Sequence, residues 1–252
     1  MTRPPYEEPR KGNPNRLTIR QHVFPAASIA RFGNAEGRVC LHDLERNLVR
    51  LASPDDLVFC ARRSWDQRAE AGYMKQIEDA FQEVAEGVLD GTIAEIAGAK
   101  RNATNQFFAL WYMRSRHRNL DVLEVEVQGL AGDRLTREQE ENLESNGYVF
   151  VREGGRFPAR QLNGLQLQFR IHQYVRAELS GVQWGIVRAQ EGEFIVPDVP
   201  LHAIVPIAPA LSLVAAAPSG FITKENVAEI NRSVRTASQS YYFARDFSCC
   251  PL

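Results

Sequence analysis

The segment NATNQFFALWYMRSR (residues 102–116) predicts a helix with apolar residues on nearly every side. A surface helix needs only one apolar stripe, so a helix that is apolar all round is enclosed by other elements. We therefore expect this segment to be the buried central helix of the fold. It ends in Arg114 and Arg116, and cations are favoured at a helix C-terminus by the helix dipole alone.

A second long helix is predicted before this segment. Between residues 73 and 96 the apolar residues recur mostly at spacings of three and four, which is helical periodicity. The opposite face carries four carboxylates, at Asp79, Glu83, Glu86 and Asp90. Carboxylates on one helix face can hold Mg²⁺ or Mn²⁺, but a solvated face that balances the apolar one is the favoured interpretation.

The regions on either side of these helices have strand patterns. Residues 38–52 predict two short strands and residues 57–61 a third, and the C-terminal third predicts four more at 182–189, 192–196, 202–207 and 211–216. A final amphipathic helix begins near Thr223 and places Val227 and Tyr241 on one face. This order predicts an α+β fold with short N-terminal strands, long central helices, a mostly antiparallel C-terminal sheet and a final helix.

Length and composition predict one soluble domain. The chain has 252 residues, 44% of them hydrophobic, and a formal net charge of -1, which gives no overall attraction to nucleic acid. We expect a flexible tail over residues 1–16, a single domain over 17–247 and a short tail over 248–252. The four cysteines form no C-x-x-C pair, and no apolar run is long enough to span a bilayer. We therefore expect a cytoplasmic protein with no membrane partner.

Well-known catalytic signatures are missing from the sequence. It contains no P-loop, no G-x-G-x-x-G, no G-x-S-x-G and no H-E-x-x-H motif. Their absence argues against the common nucleotide-binding and hydrolase families. An active site of another kind stays open.

The stretch FIVPDVP (residues 194–200) places one carboxylate among apolar residues and prolines. Pro197 and Pro200 cannot donate to a sheet ladder, so Asp198 is expected in a rigid loop just past a strand end. Catalytic and binding residues are common in such loops. The alternative is a turn in which Asp198 accepts backbone N–H bonds.

Two further residues are candidates for acid–base chemistry. His22 precedes Pro25 at the start of the fold and is either a ligand or general base, or a hydrogen-bonded histidine that anchors the first loop. Glu78 lies beside Ile77, nearer the buried stripe than the other carboxylates of its helix, and is therefore favoured as the functional acid. Arg114 and Arg116 are suited to phosphate or carboxylate capture, which leaves a nucleic-acid partner open.

Several short motifs follow one another in a recognisable order: HVFP at residues 22–25, Ile77–Glu78, Arg114, Trp184 and FIVPDVP. In this order the chain resembles the bacterial domain-of-unknown-function family numbered 4238, over roughly residues 17–247. The chain departs from the family pattern at Ser28 and at Val196–Pro197. The resemblance implies roles for these positions, with Trp184 as a substrate-binding candidate, but no established reaction.

Two functions remain open. The first is a metal-dependent hydrolase or nuclease with His22, Glu78 and Asp198 as catalytic residues, Arg114 and Trp184 as substrate-binding residues and a divalent metal as cofactor. The second is a non-catalytic binding or regulatory module whose polar residues form a structural network.

Overall fold

The computed structural model of the chain describes residues 6–119 and 123–252. These residues form an α+β fold, as the sequence predicts. The helices are α1 (Ala26–Ala30), α2 (Lys75–Leu89), α3 (Gly98–His117), α4 (Arg137–Ser145), α5 (Ala159–Tyr174) and α6 (Lys224–Ala237). A first π segment (Ala69–Met74) leads into α2, and a second π segment (Val175–Leu179) continues α5.

The strands form two four-stranded sheets and two two-stranded ladders in the described part of the chain. One sheet has the order β11-β7-β10-β9, antiparallel except that β11 runs parallel to β7, and the other has the antiparallel order β3-β2-β12-β8. The ladders are β1-β4 and β5-β6. The strands are β1 (Arg20–His22), β2 (Val39–Asp43), β3 (Leu48–Ala52), β4 (Cys60–Arg62), β5 (Glu124–Glu126), β6 (Arg156–Pro158), β7 (Trp184–Ala189), β8 (Val196–Pro197), β9 (Ile204–Ala208), β10 (Leu211–Ala215), β11 (Gly220–Ile222) and β12 (Tyr241–Ala244).

The largest hydrophobic core surrounds α3, which confirms the prediction of a buried central helix. Phe107 of α3 stacks on Phe81 of α2, with ring centroids 3.6 Å apart, and Trp111 packs on Phe24 at 4.5 Å. Helices α2 and α5 both pack against α3. The functional candidates on these helices are therefore held by the same core.

Several element boundaries differ from the predicted ones. The strand predicted at 192–196 is reduced to β8 (Val196–Pro197), which pairs with β12 in the second sheet. Helix α2 ends at Leu89 and not near residue 96, because Gly91 adopts a φ of +82° and the chain turns there. Residues Leu57–Phe59 form a 3₁₀ turn, which the Asp56 side chain caps by accepting from the amide of Val58, and β4 begins only at Cys60. Helix α6 ends at Ala237, so Tyr241 lies not on that helix but in β12, inside the second sheet.

Residues of both expected tails contact the domain. The Glu7 carboxylate accepts hydrogen bonds from Arg152 and Arg160, and the amide of Arg10 donates to Glu141 of α4 at 2.6 Å. At the other end the Pro251 carbonyl accepts a hydrogen bond from Asn231 at 3.1 Å. Residues 6–16 and 248–252 are therefore bonded to the domain in this structure.

Among the helices of residues 6–119 and 123–252, none combines the length and the apolar character that crossing a bilayer requires.

Candidate functional site

Arg114 lies near the end of α3 and is 1% exposed. Its Nη1 donates to the carboxylate of Glu78 and, at 3.0 Å, to the backbone carbonyl of His22, and its Nη2 donates to Glu70 at 3.0 Å. Its guanidinium also lies 5.3 Å from the ring centroid of Trp65. We call Arg114, Glu70, Glu78 and Trp65 the Arg114 cluster.

The carboxylates of the Arg114 cluster outweigh the effect of burial. Burial by itself lowers the pKa of a guanidinium, but Glu78 and Glu70 reverse the direction and hold the pKa of Arg114 above its ordinary value. Glu70 is held in turn by the indole of Trp65, whose Nε1 donates to it at 2.5 Å. Glu70 lies in the first π segment, about two helical turns before Glu78. The π segment places both carboxylates on the same side of the helix.

His22 contributes its backbone, not its ring, to the Arg114 cluster. The strand pairing of β1 with β4 sets His22 opposite Cys60, and its carbonyl faces Arg114. The ring Nε2 lies 3.1 Å from the carbonyl of Pro54. A carbonyl only accepts, so Nε2 carries the proton in this contact. The geometry is that of a hydrogen-bonded histidine that anchors the first loop.

Asp198 caps the turn that precedes β12. It is 2% exposed, and its two carboxylate oxygens accept from the amides of Gln239 at 2.9 Å and Ser240 at 2.7 Å. Its own amide donates to the carbonyl of Tyr241 at 3.1 Å. The expected rigid loop is thus a buried turn, with both oxygens engaged by backbone, and it ties β8 to β12.

Trp184, the predicted substrate-binding residue, is buried at the start of β7. Its indole Nε1 donates to Asn105 of α3 at 2.7 Å, and the Asn105 amide donates to the carbonyl of Leu179 at 2.9 Å. Trp184 is therefore enclosed, and its indole orients Asn105.

The structure brings together only part of the predicted pocket. Glu78, Arg114 and the His22 backbone meet, whereas no contact among the described residues joins Asp198 or Trp184 to the Arg114 cluster. Within residues 6–119 and 123–252, no three His, Cys, Asp or Glu side chains are grouped so that they could hold a metal ion. The acidic face of α2 is solvated, and Asp79 pairs there with Lys75 at 2.7 Å.

The two arginines proposed for phosphate capture differ in access. Arg114 is enclosed, so its guanidinium does not reach the surface. Arg116 is exposed and donates to the hydroxyl of Tyr112 at 3.1 Å, with its guanidinium 5.2 Å from that ring centroid. Only Arg116 is in a position to contact an external anion.

A cleft that the sequence did not indicate lies between the start of α3 and the end of α5. It has a volume of about 500 Å³ and receives side chains from both π segments. Its charged lining residues are Arg101 of α3, Arg176 of the second π segment and the ionisable His172 of α5. We call it the cationic cleft.

Several polar side chains of the cationic cleft have no partner in the described part of the chain. The guanidinium groups of Arg101 and Arg176 make no hydrogen bond or ion pair with any described residue. The hydroxyl of Tyr73 is hidden from solvent and has no hydrogen-bond partner, and burial raises its pKa. The ring of Tyr73 lies 5.4 Å from that of His172, measured between centroids. Only the run of polar residues that opens α3 marks this region in the sequence.

Asp66 is a buried carboxyl outside both regions. It is 1% exposed, its Oδ1 has no hydrogen-bond partner, and its Oδ2 lies 3.4 Å from Arg68. Burial raises its pKa from 3.8 to about 6, and Arg68 only partly opposes this shift. Its Oδ1 faces Gly164 of α5, where a β-carbon would come within 1.9 Å of it. The carboxyl is thus enclosed by close backbone packing.

No protein-family model, no curated protein and no solved structure matches the chain. The resemblance to family 4238 therefore stays a prediction.

Proposed function

We propose that the chain is a non-catalytic binding or regulatory module, in which His22, Glu78, Arg114 and Asp198 hold the fold. The observation that supports this most is the bonding of Arg114 inside the fold. Its terminal nitrogens donate to two carboxylates and one backbone carbonyl. A buried ion pair with these hydrogen bonds is costly to break, because removing one partner leaves the other charge uncompensated.

The bonding of Asp198 supports the same proposal. A general base or a metal ligand needs an oxygen that can approach its proton or its ion. Both oxygens of Asp198 are engaged by the amides of Gln239 and Ser240. Catalysis by Asp198 would have to break these bonds first. The metal-dependent hydrolase or nuclease stays a prediction that no finding tests.

The proposal is tested by Asp198→Ala. The variant removes a buried carboxylate that accepts two part-buried backbone hydrogen bonds, so we expect it to lose about 2 kcal/mol of unfolding free energy and to melt roughly 5 °C lower. Asp55→Ala, at an exposed position, is the control and should melt like the wild type.

Calorimetric titration with Mn²⁺ completes the test. Wild-type protein that binds Mn²⁺, together with an Asp198→Ala variant that melts normally but no longer binds it, would establish a metal site and contradict the proposal. Lower stability with no change in the Mn²⁺ titration supports it.

A further inference from the structure

We propose that the cationic cleft binds a small organic phosphate, with Arg101 and Arg176 holding the phosphate group. The inference rests on the proposed function, since a binding module needs a site and a ligand class. In the cleft, two cations without an ion-pair partner, two neighbouring rings and a cavity of ligand size occur together.

The charge of the lining is the first argument. The residues that line the cleft include two arginines and a histidine, and no carboxylate is among the described ones. Arg101 is half-buried and Arg176 is exposed, and neither guanidinium has an ion-pair partner among the described residues. Two cations that line one cavity raise its positive potential and so favour an anion there. Their planar donor forks match the oxygens of a phosphate.

The position of Arg101 on α3 is the second argument. Cations are disfavoured in the first turn of a helix, where the backbone amides present partial positive charge. Helix α3 nevertheless has no acidic residue in its first turn and no side-chain cap. A bound anion would satisfy the arginine and the helix end together.

The walls of the cleft indicate a ligand that carries an organic group as well as a phosphate. Tyr73 and His172 present two neighbouring rings, and the Tyr73 hydroxyl is a hidden donor without an acceptor. Because the hydroxyl is closed off from solvent, a ligand in the cleft meets the ring of Tyr73 and not its oxygen. The amide side chains of Asn102 and Gln106 also line the cleft, and they can bind the polar edge of a planar group.

The floor of the cleft is rigid. Asn105 is fixed by the indole of Trp184 and by the carbonyl of Leu179, so its orientation is set before any ligand arrives. A cavity of about 500 Å³ holds one nucleotide-sized molecule. A preformed floor, aromatic walls and two free guanidinium groups together favour a small phosphorylated compound over a polymer.

Calorimetric titration of the full chain with three probes tests the proposal: inorganic phosphate, ribose 5-phosphate and AMP. We expect AMP to bind most tightly, because only its base reaches the Tyr73 and His172 rings. If ribose 5-phosphate binds as tightly as AMP, the ligand is a sugar phosphate and the phosphate site still stands. No heat from any probe at concentrations up to about 10 mM overturns the proposal.

A matched pair of double variants locates the binding. Arg101→Ala with Arg176→Ala should weaken AMP binding by about 30-fold or more and leave the melting temperature unchanged. Arg232→Ala with Arg235→Ala removes the same charge from a different hollow, of about 370 Å³, and should change the affinity less than about twofold. Equal losses in both would show general charge attraction and would overturn the site.

Two further readouts separate this inference from the proposed function. Tyr73→Leu, which removes the ring, should weaken AMP binding by roughly fivefold, whereas Tyr73→Phe, which keeps the ring, should change the affinity less than about twofold. Equal affinities in the two variants would remove the Tyr73 ring from the site. Chromatography of AMP after incubation should return it intact. AMP that is bound in the cleft and also hydrolysed would overturn the non-catalytic proposal and leave the phosphate site standing.

Discussion

Helix α3 carries an arginine near each end, and the two have opposite surroundings. Arg114, in the last turn, is enclosed and bonded to Glu70, Glu78 and a backbone carbonyl. Arg101, in the first turn, lines an open cleft and has no partner among the described residues. A charge that is satisfied inside the fold contributes to stability, whereas a charge left unsatisfied at a cavity is available to a ligand.

The largest expected effect comes from removing the satisfied charge. Arg114→Ala leaves Glu70 and Glu78 without their cation, and we expect a loss of about 3–5 kcal/mol in the free energy of unfolding. Arg101→Ala, the matched variant on the same helix, should change it by less than about 0.5 kcal/mol. Urea denaturation measures the unfolding free energy of both variants, and equal losses would contradict the proposed difference between the two arginines.

Asp66 lies between these two cases, because it is a buried carboxyl with a single ion-pair partner, Arg68, at 3.4 Å. Its folded-state pKa of about 6 lies above the ordinary value of 3.8, so the folded state binds the proton more tightly than the unfolded one. The resulting stability is present below about pH 4 and is lost as the pH rises through 6.

Asp66→Asn should remove this pH dependence, which amounts to about 3 kcal/mol. Between pH 4 and 7 the unfolding free energy of the wild type should therefore fall by about that amount relative to the variant. Asp55→Asn, at an exposed position, should follow the wild type. A variant curve parallel to the wild-type curve would refute the burial of this charge.

Substitutions at two helical glycines test the difference between a closely packed part of the fold and the side that faces the cleft. Gly164→Ala would place a β-carbon 1.9 Å from Asp66 and 3.0 Å from Ala69, and should destabilise by about 2 kcal/mol. Gly72→Ala, in the first π segment with nothing within 4 Å, should be neutral or stabilising by about 0.5 kcal/mol. Thermal unfolding distinguishes them, and a tolerated Gly164→Ala would mean that α5 packs more loosely than described.

The smallest effect is expected at the exposed start of α3. Ala99→Glu supplies the missing first-turn acid and should add about 0.5 kcal/mol of stability, while it weakens AMP binding because its carboxylate lowers the positive potential at this helix end. Ala99→Gln is the uncharged control. Stronger AMP binding in the glutamate variant would contradict a phosphate site at this helix end.

The sequence predicted which helices and strands form better than it predicted where they begin and end. Periodicity identified α3 as the enclosed helix, because apolar residues on all sides leave no face for water. Periodicity could not show that α6 ends before Tyr241. The turn after α6 depends on Asp198, from another part of the chain, which accepts from the amides of Gln239 and Ser240. Long-range contacts of this kind have no local signal.

The sequence predicted residues of the candidate site but not their roles. Glu78 and Arg114 do meet, yet Glu70, the other carboxylate of the cluster, was missed because the π segment changes which residues share a face. The cationic cleft was missed because Arg101 and Arg176 are far apart in sequence and each resembles an ordinary surface arginine. Only the packing of α3 against α5 shows that they line one cavity.

The central claim is that the residues that hold the fold and the residues that bind the ligand are separate sets. AMP affinity measured by calorimetry on Asp198→Ala, under conditions where the variant is folded, tests this most directly. The account predicts an affinity within about twofold of the wild type, with the binding lost only when Arg101 and Arg176 are replaced. A folded Asp198→Ala protein that no longer binds AMP would contradict it.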